Sequence, residues 1–223
     1  MSIDRLTRHR ERGSDERAAL DALLDSEWTG VLATVVDGEL WAVPMLYVRD
    51  GDRVLLHGSS GAGALRHLAA GAPVVLTVFA LDSLVLARST FGHSADYRSA
   101  TLRGTVEVLD GEEARRALGA FTDALAPGRT AEVPEVTERE QAATVVLALP
   151  IREGSWLLKQ RTHGFEEEPG RRPDDDPTWA GVVPVHRVFG EPVPAGGNRP
   201  GVEVPASVRR LLGRAEPSGP GGR

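Results

Sequence analysis

Two short polar segments hold most of the residues able to do chemistry. The first, His57-Gly58-Ser59-Ser60-Gly61, follows an apolar run and precedes a helix-like stretch. Small residues let backbone N–H groups approach an anion closely, Ser59 and Ser60 add hydroxyls, and a helix start favours negative charge. A phosphate site and an ordinary strand-to-helix turn both fit this pattern, and the Lys-Ser/Thr end of a P-loop is absent. The second segment, residues 88–99, packs two arginines, a histidine, a tyrosine and three serines into twelve positions flanked by apolar runs. Arg88 and Arg98 suit bidentate recognition of a phosphate or carboxylate. Tyr97 can stack on a flat ring or donate its hydroxyl, and His93 can donate to a heteroatom or act as an acid. A solvated connection with two local ion pairs fits these residues equally well.

Other chemistries find less support. His57 and His93 have acids nearby, but no HExxH or comparable ligand spacing exists, and His163 and His186 stand alone, so no metal site is expected. There is no GxSxG elbow to organise a Ser-His-Asp triad. The chain has no cysteine, which excludes disulfides, thiolate catalysis and cysteine-ligated metals. The formal net charge of −6 provides no field for nucleic acid or an anionic membrane. No apolar run reaches the roughly 18 residues that span a bilayer. The N-terminal segment MSIDRLTRHRERGSDER is too charged for a secretory signal, so a cytoplasmic protein is expected. Lys159 is the single lysine among 26 basic residues. Genomic composition explains the bias, and anion binding is expected to fall to arginine and backbone N–H groups.

The elements that must position these groups are mostly strands. Residues 14–25 read as a helix with Ser14 as N-cap and Asp15 and Glu16 in its first turn. Residues 30–36 and 39–48 flank Asp37-Gly38, the strongest short hairpin signal a sequence offers. Pro44 within the second run implies an edge or a bulge. Arg49-Asp50-Gly51-Asp52 turns into a third strand, giving a meander. A short helix is expected at 59–70, stopped by Gly71. A buried strand is expected at 74–81, followed by another apolar stretch at 84–89, and further strands are expected at 99–110 and 144–151. Residues 112–126 form an amphipathic helix with Ala114, Ala117, Leu118, Phe121 and Leu125 on one side. About six strands without βαβ alternation argue for an antiparallel barrel with flanking helices. Residues 164–177 read as an exposed acidic, proline-rich loop, and 195–223 as a Pro/Gly-rich tail following one domain at 1–194.

From about Arg8 to Pro194 the sequence resembles the flavin-nucleotide-binding, nitroimidazole-resistance-type branch of the pyridoxamine 5'-phosphate oxidase-like proteins. LHGSS, LVLARS and HSADYRS carry the resemblance most specifically, together with REQAATVV and WAGVVPV. It implies a mainly β, FMN-binding split β-barrel, working as a homodimer with FMN at the subunit interface. Pro44 and Met45 then lie under the isoalloxazine ring. His57, Gly58, Ser59 and Ser60 match the loop facing the ring edge and phosphate. Arg88, Ser89, His93, Tyr97, Arg98 and Ser99 match the second flavin-side motif, and Trp179 the late block that caps the pocket. Two departures stand out: Gly92 replaces the first histidine of the more usual HHS pair, and Asp96 replaces asparagine, where it is expected to pair with Arg98. The implied activity is FMN-dependent oxidation or reduction of a small organic molecule, with His57 and His93 as catalytic candidates. The alternative is a flavin- or haem-binding sensor or carrier without turnover, with His57 or His93 as an axial ligand. Pyridoxamine-phosphate oxidation is disfavoured, since no basic residue follows His57 until Arg66.

Overall fold

The computed structural model describes residue 6 and residues 8–166 and 177–212. Alternation of buried and exposed residues dominates the chain, and this period of two builds a pair of antiparallel sheets. The chain opens with β1 (Gly13–Ser14) and α1 (Arg17–Ser26), followed by β2 (Thr29–Val36) and β3 (Glu39–Leu46). Ser14 lies in β1 rather than capping α1, whose N-cap is Glu16; the Ser14 hydroxyl instead accepts from the Glu16 N–H at 3.2 Å. Asp37 and Gly38 both adopt positive φ, 52° and 86°, as a two-residue hairpin of primed type requires. β3 ends the sheet, so Pro44 sits on an edge strand as its missing N–H demands.

The meander breaks at Tyr47. β4 (Val48–Asp50) and β5 (Arg53–Ser59) belong to a second sheet of order β4-β5-β9-β8, completed by β8 (Glu107–Leu109) and β9 (Thr144–Pro150). Buried Tyr47 fixes the crossing by donating its hydroxyl to the Leu24 carbonyl at 3.0 Å. After α2 (Gly63–Ala69) comes β6, a single strand of Pro73–Leu86 that continues the expected 74–81 strand into the apolar stretch after it. A register shift between Leu81 and Ser83 leaves Asp82 as the extra residue, and this bulge carries the strand past its own charge. β7 (Ser94–Thr105) begins earlier than expected, so HSADYRS lies largely in a strand and not in a loop. β10 (Trp156–Arg161) and β11 (Gly181–Pro184) were not foreseen as strands; they complete the larger sheet, ordered β1-β10-β7-β6-β2-β3, with β11 pairing the far half of β6.

The main core lies between the sheets. Leu32, Leu76, Val78 and Leu102 from the larger sheet meet Val54, Leu56, Leu147 and Leu149 from the smaller, and α1 closes one side with Leu20, Leu23 and Leu24. The reverse face of the smaller sheet, Leu55, Val146 and Ala148, is covered by Ala114, Ala117 and Phe121 of α3 (Gly111–Leu125). α4 (Glu138–Ala142) is entered through a capping box at Thr137 and Glu140. Within the expected tail, α5 (Ala206–Leu212) docks through Ser207 on Glu132, while residues 213–223 lie outside the described residues, as do residues 167–176 of the expected acidic loop. No helix among the described residues is long and apolar enough to cross a membrane.

Candidate functional site

One layer has no cover among the described residues: the outward face of the larger sheet. Register places Pro44 opposite Val31, Val31 opposite Thr77, Thr77 opposite Thr101 and Thr101 opposite Leu157. The next row sets Phe79 opposite Ser99 and Ser99 opposite Lys159. Alternation then divides the polar motif. Tyr97 and Ser99 turn outward with Phe79, while Asp96 and Ala100 turn inward and are buried. Ring contacts agree, with Phe79 and Tyr97 centroids 5.8 Å apart and the Lys159 Nζ 5.3 Å from the Tyr97 ring. Apolar side chains dominate this face: Val31, Val35, Leu46, Phe79 and Leu81 are all exposed, and Leu40 is 90% exposed. Met45, one residue from outward Pro44, instead packs against the main core.

The inward half of the motif is an ion-pair network. Arg98 donates through Nε (3.0 and 3.2 Å) and Nη2 (2.8 Å) to Asp82, the bulge residue. Asp96 does not pair with Arg98 as expected. Its carboxylate takes Arg161 Nη1 at 2.8 Å, the Ser83 hydroxyl at 3.0 Å and the Gly164 N–H at 3.3 Å. The bulge explains the exchange: it inserts Asp82 beside Arg98 and leaves Ser83 opposite Asp96. The carboxylate that replaces asparagine is thereby neutralised inside the fold. Asp82 and Arg161, the partners that organise the motif, were not singled out from the sequence, although a lone acid within VVLTVFALDSLVLA was a visible signal.

The turn before β7 is organised locally. His93 Nδ1 lies 2.7 Å from the Ser89 carbonyl, so Nδ1 carries the proton and Nε2 presents a lone pair in the neutral ring. Gly92 N–H also turns back toward Ser89. The Arg88 guanidinium stands over the Phe165 ring at 5.4 Å. Trp179, 64% exposed, lies against Gly181 so closely that a Cβ there would come within 2.9 Å of the indole.

His57 belongs to another layer. It points to the α3 side of the smaller sheet, its ring edge-on to Phe121 at 4.3 Å, with Nδ1 buried and unpartnered. Burial pushes its pKa below the usual imidazole value, so the ring is neutral near pH 7. Gly58 faces the core, where a Cβ would meet Leu65 Cδ1 at 2.5 Å; close packing accounts for this glycine. The N–H groups of Ser60, Gly61 and Ala62 donate to Ala143 O, Ser59 Oγ and Ser59 O. What the loop offers a ligand is chiefly the hydroxyls of exposed Ser59 and Ser60. A single chain therefore gathers Pro44, Tyr97 and Ser99 on one face and keeps His57–Ser60 elsewhere. A cavity of about 950 Å³ between α3 and residues 130–140 touches neither group, whereas one of about 610 Å³ opens on the outward face beside Val35, Leu40 and Arg103.

Comparison with known proteins gives this geometry a context. A family model described as pyridoxamine 5'-phosphate oxidase matches residues 16–156. A solved FAD and heme binding protein from Mycobacterium smegmatis is 43% identical, with a TM-score of 0.84 over 90% of this chain and 97% of that one. The flavocytochrome Anf3 from Azotobacter vinelandii is 30% identical, with a TM-score of 0.80 over 92% of this chain and 94% of that one. A candidate 5-nitroimidazole antibiotic resistance protein from Bacteroides thetaiotaomicron, 21% identical with a TM-score of 0.55 over 66% of this chain and 86% of that one, shares the fold. No curated protein matches the sequence.

Proposed function

Because the chain belongs to the pyridoxamine 5'-phosphate oxidase-like split-barrel family, we propose that it binds a flavin nucleotide on the outward face of the larger sheet, at the interface of a cytoplasmic homodimer, and uses it to oxidise or reduce a small organic molecule. The observation that carries this reading is the uncovered apolar face itself. Contiguous apolar surface of this kind marks a partner or ligand site, and a two-fold dimer is the commonest way to cover it. A dimer also supplies what one chain lacks, a route for a second copy's His57–Ser60 loop to approach the Tyr97 and Ser99 face.

The residues present fit a flavin. Phe79 and Tyr97 offer an aromatic surface for a flat heterocycle, Pro44, Val31 and Leu81 exclude water around it, and Ser99 and Thr101 supply hydroxyls. A bound flavin supplies hydride or single-electron transfer; the protein supplies orientation, electrostatics and a dry pocket. His93, with its proton fixed on Nδ1, can accept a proton at Nε2 from a substrate that reaches the turn before β7. His57 stays neutral through burial and can act only where a ligand meets its ring. FMN and FAD share the ring, the ribityl chain and the proximal phosphate. FMN is the form expected from the one small loop at 57–61, and FAD is the form named in the M. smegmatis relative.

A second reading has an observation of its own. A histidine whose Nδ1 proton is held by a backbone carbonyl while Nε2 faces outward is arranged as a metal ligand. His93 meets that description, and both well-covered relatives carry heme or flavocytochrome in their names. The test for both readings is the visible spectrum of the purified protein with chromatography of its heat-released chromophore. Flavin bands are expected. A Soret band lost in His93→Ala would establish haem ligation, and a colourless protein that takes up no added flavin would refute the main proposal.

A further inference from the structure

In the flavin reading, several candidate partners for the anion of the nucleotide are already engaged within the protein. Two of the Arg98 donors are committed to Asp82, Arg161 is committed to Asp96, and the N–H groups of Ser60, Gly61 and Ala62 are satisfied within the protein. Lys159 differs. It stands on the outward face directly opposite Ser99, it has no carboxylate partner among the described residues, and its ammonium rests 5.3 Å from the Tyr97 ring. In a chain with 32 acidic residues and a single lysine, an ammonium left over an aromatic pair on an apolar face is a poor stability device. Exposed cation–π contacts are worth only about 0.5–1 kcal/mol.

The combination suits one ligand class: a planar aromatic bearing an anionic group. Phe79 and Tyr97 meet the ring, and Lys159 with the Ser99 hydroxyl meets the anion farther along the row of Phe79 and beside that of Tyr97. We propose that Lys159, assisted by Ser99, is the phosphate anchor of the nucleotide site, in place of Arg98, Arg161 and the 57–61 loop. The inference rests on the flavin reading and adds to it the residue that distinguishes a phosphorylated flavin from riboflavin. Lysine serves here as a compact point charge on a flexible stem, able to leave the Tyr97 ring for a phosphate without breaking an ion pair.

The test compares FMN with riboflavin by fluorescence titration of the flavin-free dimer, using the parent, Lys159→Gln and Lys159→Arg. The parent is expected to bind FMN more tightly than riboflavin, and its FMN affinity, unlike its riboflavin affinity, falls with added salt as screening predicts. Lys159→Gln should weaken FMN binding about tenfold or more, as loss of a charge-assisted contact does, and leave riboflavin binding unchanged. Lys159→Arg should keep most of the discrimination. If Lys159→Gln weakens both flavins alike, or neither, the anchor lies elsewhere and the proposal is overturned. If the parent binds riboflavin and FMN equally, the anchor proposal fails while the flavin reading stands. A parent that binds neither defeats the reading on which it rests.

Discussion

The Arg98–Asp82 pair gives the sharpest prediction about the fold beneath the site. Both side chains are largely enclosed, 13% and 15% exposed, and the contact is bidentate at 2.8–3.2 Å. Arg98→Ala leaves the Asp82 carboxylate in a bulge with no counter-charge, and breaking a buried pair from one side costs about 3–5 kcal/mol. For a chain of this length each kcal/mol moves the melting midpoint by about 2–4 °C, so the variant should melt roughly 6–20 °C below the parent. Asp82→Ala should be destabilising in the same direction. The double variant Arg98→Ala/Asp82→Ala removes the stranded charge and should be more stable than Arg98→Ala alone, with a coupling free energy on the order of 2 kcal/mol. Urea denaturation of the four proteins measures the cycle. Well below its melting midpoint, Arg98→Ala should still bind flavin, since its Nε and Nη2 are not ligand donors in this arrangement. Additivity of the two single variants within about 0.5 kcal/mol would refute the pairing.

Three further outcomes follow from the same geometry. His57 is protonated more readily in the unfolded chain, near pH 6.5, than in the fold, where burial lowers its pKa; its contribution to stability is therefore full above that pH and is lost as pH falls through the window below it. His57→Phe should flatten that acid limb in thermal melts taken across pH, and an unchanged limb would assign it to other groups. Leu40→Glu, on the exposed edge of the outward face, should weaken dimerisation by about tenfold or more, since a buried leucine is worth about 1.5–3 kcal/mol, and sedimentation equilibrium reads this directly. Gly30→Ala should destabilise by about 1–3 kcal/mol in urea, because its Cβ would sit 2.8 Å from Leu76 Cδ1 and 3.0 Å from the Thr77 carbonyl.

Much of the fold was legible because its signals are local. Asp37-Gly38 announced a hairpin of the right register, Pro44 an edge, and the 112–126 pattern a helix whose apolar side does cover a sheet. What failed was non-local. Nothing in the sequence said that Tyr47 hands the chain to a second sheet, or that the runs either side of Asp82 are one strand bent by a bulge. That bulge decides the partners of the polar motif. Residues 96 and 98 share a side, as their spacing implies, yet each pairs with a distant residue, Arg161 and Asp82, that comes into reach only through tertiary pairing. Ser14 illustrates the smaller error: its residue type suits an N-cap, but pairing with β10 draws it into a strand. Lys159 was conspicuous as the single lysine, while its place opposite Ser99 depended on a strand whose mixed pattern, WLLKQR, hid its period.

The central claim, a flavin nucleotide held by two copies of this chain, is tested most directly by sedimentation velocity recorded at once in the protein band and the visible flavin band. The account predicts that both absorbances travel together in one boundary at about twice the chain mass of 23.8 kDa. Flavin absorbance that stays behind with the solvent, or that moves with a single-chain species, would contradict it.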